Sequence, residues 1–260
     1  MVMDKSYPVT LLQDYNLEEW ARCSYKFYNS RILNRHPDVL NWRQMVQYAV
    51  NHVIHDGYAL PAEQRTPEHI EHLIAKRWKI RPSLFPSAYH EKLIRRTVTE
   101  QLIRYFTGHR QSGPLLFLFE SYTVRVEELG VELSMIVQVA EWSQKSFVIR
   151  KLFVDSDPDV ISCFQHVATL FCYKAFGKLP ESIEALSLLT GQTVETCPTA
   201  ERDVAGAIHY VRTMMERFEH SMYTPRLFSQ TECHSCPFQE TCTSVPPTRR
   251  MADGTFIRVS

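Results

Sequence analysis

The sequence predicts an α/β fold, a mixed sheet flanked by helices, with a helical lobe ahead of it. Three observations predict it. Residues up to about 108 carry apolar side chains at three- and four-residue spacing, the helix period. Three extended runs rich in Val, Ile and Phe follow between about 115 and 154. A helical stretch then separates them from two further short runs around Gly191. The pattern changes once, near residue 114. The chain therefore reads as one domain: a helical lobe over 15–110, a core over 114–221, a cysteine segment over 228–243 and a polar tail over 244–260.

In order, helices are expected at about 17–33 ("LEEWARCSYKFYNSRIL"), at 41–55, at 66–79 after the turn "RTPE", and at 89–108. "HRQSGP" breaks the helical pattern. Strands are expected at about 115–127, 131–142 and 146–154, the first two joined by a hairpin turn at "EELG". "DSDPDV" supplies a helix start before 158–176, because an Asp cap followed by Pro suits a first turn. "SIEALSLLTGQTVET" reads as two short strands, and 199–220 as a last helix. No internal repeat is visible.

Composition narrows the function classes. With 44% hydrophobic and 22% charged residues the chain has an ordinary globular make-up. No apolar run approaches membrane-spanning length and the first residues lack a signal-peptide layout, so the expectation is a soluble, cytoplasmic protein with no membrane partner. Formal net charge is zero, so any nucleic-acid contact must come from local patches such as Lys76, Arg77, Lys79 and Arg81. Seven cysteines in a chain of this kind read as metal ligands before disulfides.

"TECHSCPFQETC" places Cys233, Cys236 and Cys242 in a C-x2-C-x5-C pattern, three ligands for a site that ordinarily takes four. The other candidates are Cys23, Cys163, Cys172, Cys197 and the neighbouring His234. Cys163 and Cys172 lie on an apolar helix and read as core, and Cys197 as a loop residue before Pro198. Cys23 stands apart, followed by aromatics at 25, 27 and 28. A site formed by Cys23 and the C-terminal three would join the chain ends. Closing that loop costs about 5 kcal/mol, while metal–thiolate binding returns on the order of 10 kcal/mol or more. Four thiolates suit an iron–sulfur cluster or structural zinc; the single close pair here favours the cluster.

"YNLEEWARCSYKFYNSRIL" and "CHSCPFQETC" resemble the N- and C-terminal segments of the RecB-like iron–sulfur branch of the PD-(D/E)XK nucleases. That branch includes the nuclease domain of the AddB helicase–nuclease subunit and CRISPR-associated exonucleases. The resemblance implies a PD-(D/E)XK nuclease-like mixed sheet stapled by a [4Fe-4S] cluster on Cys23, Cys233, Cys236 and Cys242, with zinc as the alternative. It also implies a role on DNA, at single strands or ends, beside a helicase or other DNA-processing protein.

The family's catalytic positions are filled differently. On the strand from Val131, Met135 stands where glycine is expected and Gln138 where a metal-binding Asp belongs. On the next strand Lys151 matches the family lysine, yet Ile149 occupies the acidic position two residues before it. His55 matches the lobe histidine and Gln165 a helix glutamine, while Thr169 replaces the tyrosine that follows it. A lysine and a histidine without acids make no magnesium site. The expectation is a degenerate centre and a DNA- or partner-binding module. Two other readings stay open. One is an active nuclease using Mg2+ or Mn2+ with carboxylates relocated to Glu120, Glu141 or Asp155; the other is a redox or metal sensor.

Overall fold

The computed structural model describes residues 11–35, 41–108, 113–155 and 157–219, the single residues 233, 236, 238 and 242, and the pair of short strands at 248–250 and 256–258. The rest of the cysteine segment, including His234, and most of the tail lie outside the described residues.

The chain opens with a short strand, β1 (Leu11–Gln13), and helix α1 (Asp14–Arg22). Sequence spacing predicts one helix over 17–33, but the chain breaks at Cys23, which is extended (φ −161°, ψ 100°), before α2 (Ser24–Phe27) and a π-helical turn at Tyr28–Ile32. The lobe comprises α3 (Trp42–Ala59), α4 (Pro67–Arg77) and α5 (Ala88–Thr107). Each starts on a side-chain cap: Asn41 with Gln44 in a reciprocal box, Thr66 and Ser87. Gly57 lets α5 approach α3 closely, since a Cβ there would sit 2.5 Å from the Phe106 ring.

Strands β2 (Leu115–Val126), β3 (Val131–Trp142) and β4 (Phe147–Phe153) form an antiparallel meander, then α6 (Pro158–Phe176) crosses over to β5 (Ser182–Ser187), parallel to β4. β6 (Thr193–Thr196) folds back on β5 and α7 (Glu201–Glu219) follows. Gly130 takes the left-handed conformation (φ 67°) that closes the β2–β3 turn. Asp157 caps α6 by accepting from the N–H groups of Asp159 and Val160, and the left-handed Gly177 ends it. Two further strands, β7 (Thr248–Arg250) and β8 (Phe256–Arg258), pair within what reads in the sequence as a polar tail.

The mixed sheet separates two apolar cores. One packs α1, α6 and α7 against β3 and β4 through Leu133, Val137, Ile149, Phe164 and Phe171. The other packs α3, α4 and α5 against the opposite face through Ile54, Leu102, Val139 and Leu152. No helix among the described residues is long and apolar enough to cross a membrane.

Candidate functional site

On the side away from β2, β3 pairs with β1 through Glu132–Ser134 and with β4 through Val139–Trp142. Between these two pairings the strands part, and Gln138 stands at the parting. Its amide continues the ladder that the backbone drops: Oε1 accepts from the Leu152 N–H at 2.6 Å, and Nε2 donates to Asn51 Oδ1 at 3.0 Å. Gln47, one turn earlier on α3, donates to Asn51 Oδ1 (3.0 Å) and to the Leu152 carbonyl (2.9 Å), and its own Oε1 accepts from the Val154 N–H (2.9 Å). Three neutral carboxamides thus satisfy the end of β4. Each carries a donor and an acceptor, which a carboxylate at position 138 would not.

The backbone around Gln138 is irregular on both strands. Phe119 lies in β2 between residues paired with Val137 and Val139, yet has a positive φ of 52°. Leu118 and Phe119 both pack toward the lobe core, and Gln138 and Val139 both turn the same way, so alternation slips once on each strand.

Lys151 points to the opposite face. Its Nζ lies 2.5 Å from Glu18 Oε1 and 3.7 Å from Asp14 Oδ2, and rests over the Phe153 and Phe164 rings at 5.2 and 5.4 Å. Arg22 forks onto Asp155 at 2.7 and 3.2 Å. Asp14, Glu18 and Arg22 stand at i, i+4 and i+8 on one stripe of α1, so the helix lays a three-rung ion ladder along the end of β4. Burial pushes the Glu18 carboxyl up, with Lys151 opposing it. Burial disfavours the Lys151 ammonium, but Glu18 and Asp14 outweigh it and its pKa is raised. The pair is a buried strut, closed on itself.

The other predicted positions are scattered. Ile149 and Met135 are core residues, 0% and 1% exposed. Gln165 donates to the Val194 carbonyl on β6 (3.3 Å), and Thr169 bonds the Gln165 carbonyl, both away from Lys151. His55 is on the open face of α3, 3.7 Å from Asp56 and with its ring 6.4 Å from that of Phe119. Glu120 is exposed and bonded by the Tyr122 hydroxyl. Glu141 is buried on the lobe face with Arg150 and the Tyr58 hydroxyl (2.9 Å), and Arg150 also holds Glu184 at 2.8 Å. Sequence reasoning missed Asp14, Glu18, Gln47 and Asn51; the i, i+4 spacing within each pair was the available signal.

The cysteines come from both ends of the chain. Cys23 occupies the α1–α2 elbow, where its Sγ accepts from the Lys26 N–H at 3.5 Å. The elbow is braced by Trp20 against Phe27 (5.8 Å between rings) and by a fork of Arg31 on Glu19. Cys236 donates its N–H to the Cys233 carbonyl, closing the C-x2-C turn at 3.2 Å. Burial pushes the Cys236 thiol up; the Phe238 N–H and Lys26 pull it down, and Cys23 and Cys233 push it up as like-charged neighbours. Cys236 therefore lies within electrostatic reach of Cys23, from the other end of the chain. Cys23, Cys233, Cys236 and Cys242 are all half-buried, whereas Cys163 and Cys172 are core. Among the described residues no three His, Cys, Asp or Glu side chains already stand where they could hold a metal ion.

No protein-family model matches the chain, and a comparison with curated proteins finds no match.

Proposed function

We propose that this chain is an iron–sulfur-stapled, nuclease-like scaffold that binds DNA or a DNA-processing partner without cutting phosphodiesters. One observation carries the reading: the positions that would have to converge on a metal are closed separately. Gln138 is bound into an amide network toward α3, and Lys151 is neutralised by Glu18 toward α1. Hydrolysis assisted by a divalent ion requires carboxylates and an open coordination position facing one substrate. Here the acids nearest Lys151 are held as its own counter-ions, and Asp155 is held by Arg22.

The cluster reading is supported by the donor set. Four thiols, two of them receiving backbone N–H contacts, suit thiolate–iron ligation. When bound, the cluster supplies a covalent tie between the chain ends and thereby folding free energy. Cys23, Cys233, Cys236 and Cys242 would hold it.

The test joins two measurements on protein purified without oxygen. Iron analysis is expected to give about four irons per chain with broad absorption near 400 nm; stoichiometric zinc without iron would reject the cluster. Labelled single-stranded, duplex and ended DNA are expected to stay intact with Mg2+ or Mn2+. Metal-dependent cutting abolished by Glu18→Gln, Asp14→Asn, Glu120→Ala, Glu141→Ala or Asp155→Ala would establish an active nuclease with relocated acids.

A further inference from the structure

We infer that the open face of α3 is a stacking platform for single-stranded DNA, with Tyr48 and His52 as its bed and the His55–Phe119 pair as its continuation. This rests on the DNA-binding half of the reading above and locates it. Tyr48 is 62% exposed in the middle of an 18-residue helix. Its ring meets His52 edge to face, 4.5 Å between centroids at 78°, an arrangement with one ring as floor and the other as wall. Residues 48, 52 and 55 follow one helical stripe over about 10 Å, room for two or three bases stacked at about 3.4 Å.

A second, independent observation points to the same place. Phe119 holds a left-handed backbone inside a strand whose pairing continues on both sides of it, a conformation that costs on the order of 1–3 kcal/mol. It is the β2 half of the matched slip opposite Gln138. The slip leaves the half-buried Phe119 ring on the lobe side, 6.4 Å from that of His55 at the end of the row.

Charge favours a polyanion there. Asp56, next to His55, is forked by Arg77 at 2.8 Å and approached by Lys76 at 3.9 Å, so two fixed cations answer one carboxylate. Lys76 remains 58% exposed, within reach of a phosphate. Rings for bases with a cation at the edge for the backbone are the two ingredients of sequence-tolerant single-strand binding.

The experiment is fluorescence anisotropy of a labelled oligodeoxythymidine of about 15 nucleotides with the whole, cluster-bearing chain at low salt. Tyr48→Ala and His52→Ala are each expected to weaken binding about 5- to 20-fold, and Tyr48→Phe to restore it, since stacking needs the ring and not the hydroxyl. Tyr89, 76% exposed on α5 and outside the row, is the control: Tyr89→Ala should bind as the wild type does. If the wild type binds while Tyr48→Ala and His52→Ala match it, or Tyr89→Ala loses as much, the platform is wrong and the DNA-binding reading stands. If the wild type does not bind the oligonucleotide, the platform falls, and the DNA-binding reading falls with it only if duplex and ended DNA also fail to bind. Preference for the matching uridine oligonucleotide would overturn the assignment to DNA.

Discussion

Removing the ammonium of Lys151 tests the buried strut directly. Its side chain is 16% exposed, and those of Glu18 and Asp14 are 14% and 5% exposed, so Lys151→Met leaves two carboxylates in a water-poor site without their cation. Breaking one partner out of such a pair costs about 3–5 kcal/mol, or about 6–20 °C in Tm for a chain of this size. The double variant Lys151→Met, Glu18→Leu should regain about 2 kcal/mol or more, because the orphaned charge is gone. The pH dependence has a definite sign. Glu18 has a folded pKa above its ordinary 4.5, so its protonated form suits the folded state; the stability it contributes is complete below about 4.5 and is lost as pH rises through the raised value. Without Lys151 that loss deepens, so Lys151→Met should recover stability on acidification toward pH 5 relative to the wild type. Thermal and urea unfolding across pH 5–8 measure all three effects. A single-variant loss below about 1 kcal/mol, or a double variant no more stable than the single, would show that Lys151 is solvated and available to a ligand.

Cys23→Ser should lose most of its iron and unfold at lower denaturant, since ligation is also folding free energy, while Cys163→Ser, a core substitution, should keep wild-type iron content. Equal behaviour of the two by iron assay would reject Cys23 as the fourth ligand. Placing acids where the resemblance would expect them, Gln138→Asp with Ile149→Asp, should cost several kcal/mol in chemical unfolding and create no Mg2+ affinity by calorimetry. Ile149 is fully buried, and an ionised carboxylate in place of the Gln138 amide has no donor to offer Asn51. Tyr58→Phe should cost about 1–3 kcal/mol by removing the hydroxyl that Glu141 accepts from, with no change in iron content.

Much of the fold is legible in the sequence where local chemistry decides it. Helix α6 matches its expected bounds because an Asp–Pro start, a continuous apolar face and a terminal glycine all act within the segment. Strands β2 to β4 follow from long β-branched runs. Strand β1 is not legible: three residues, Leu-Leu-Gln, carry no period, and they are extended only because Glu132–Ser134 lies alongside. The break at Cys23 is hidden for a related reason. No glycine or proline marks it; the elbow is fixed by Trp20, Phe27 and the Arg31–Glu19 fork, contacts that local spacing does not encode. At the candidate site, the identities of Gln138 and Ile149 at positions where the resemblance expects acids were readable, but the surroundings of these two residues were not. Gln47 and Asn51 look like ordinary polar helix residues until the end of β4 is placed against them.

The two closures have different chemistry, and the difference bears on what the scaffold can still do. An amide network is neutral and keeps its bonds at any ordinary pH, so the Gln138 side of the sheet is fixed regardless of condition. The Lys151 side depends on charge and on α1 staying docked, and the last rung of that ladder, Arg22 on Asp155, immediately precedes Cys23. A ligand set that holds Cys23 therefore also holds the helix that covers Lys151. The clasp and the ion ladder would then stabilise one another through a single residue step. If the proposed cluster is bound, its loss should show first as faster amide exchange in residues 14–22 and 151–155, while the lobe helices, anchored by their own core, exchange as before. Uniform loss of protection across the chain would mean that the clasp supports the whole domain and not this edge of it.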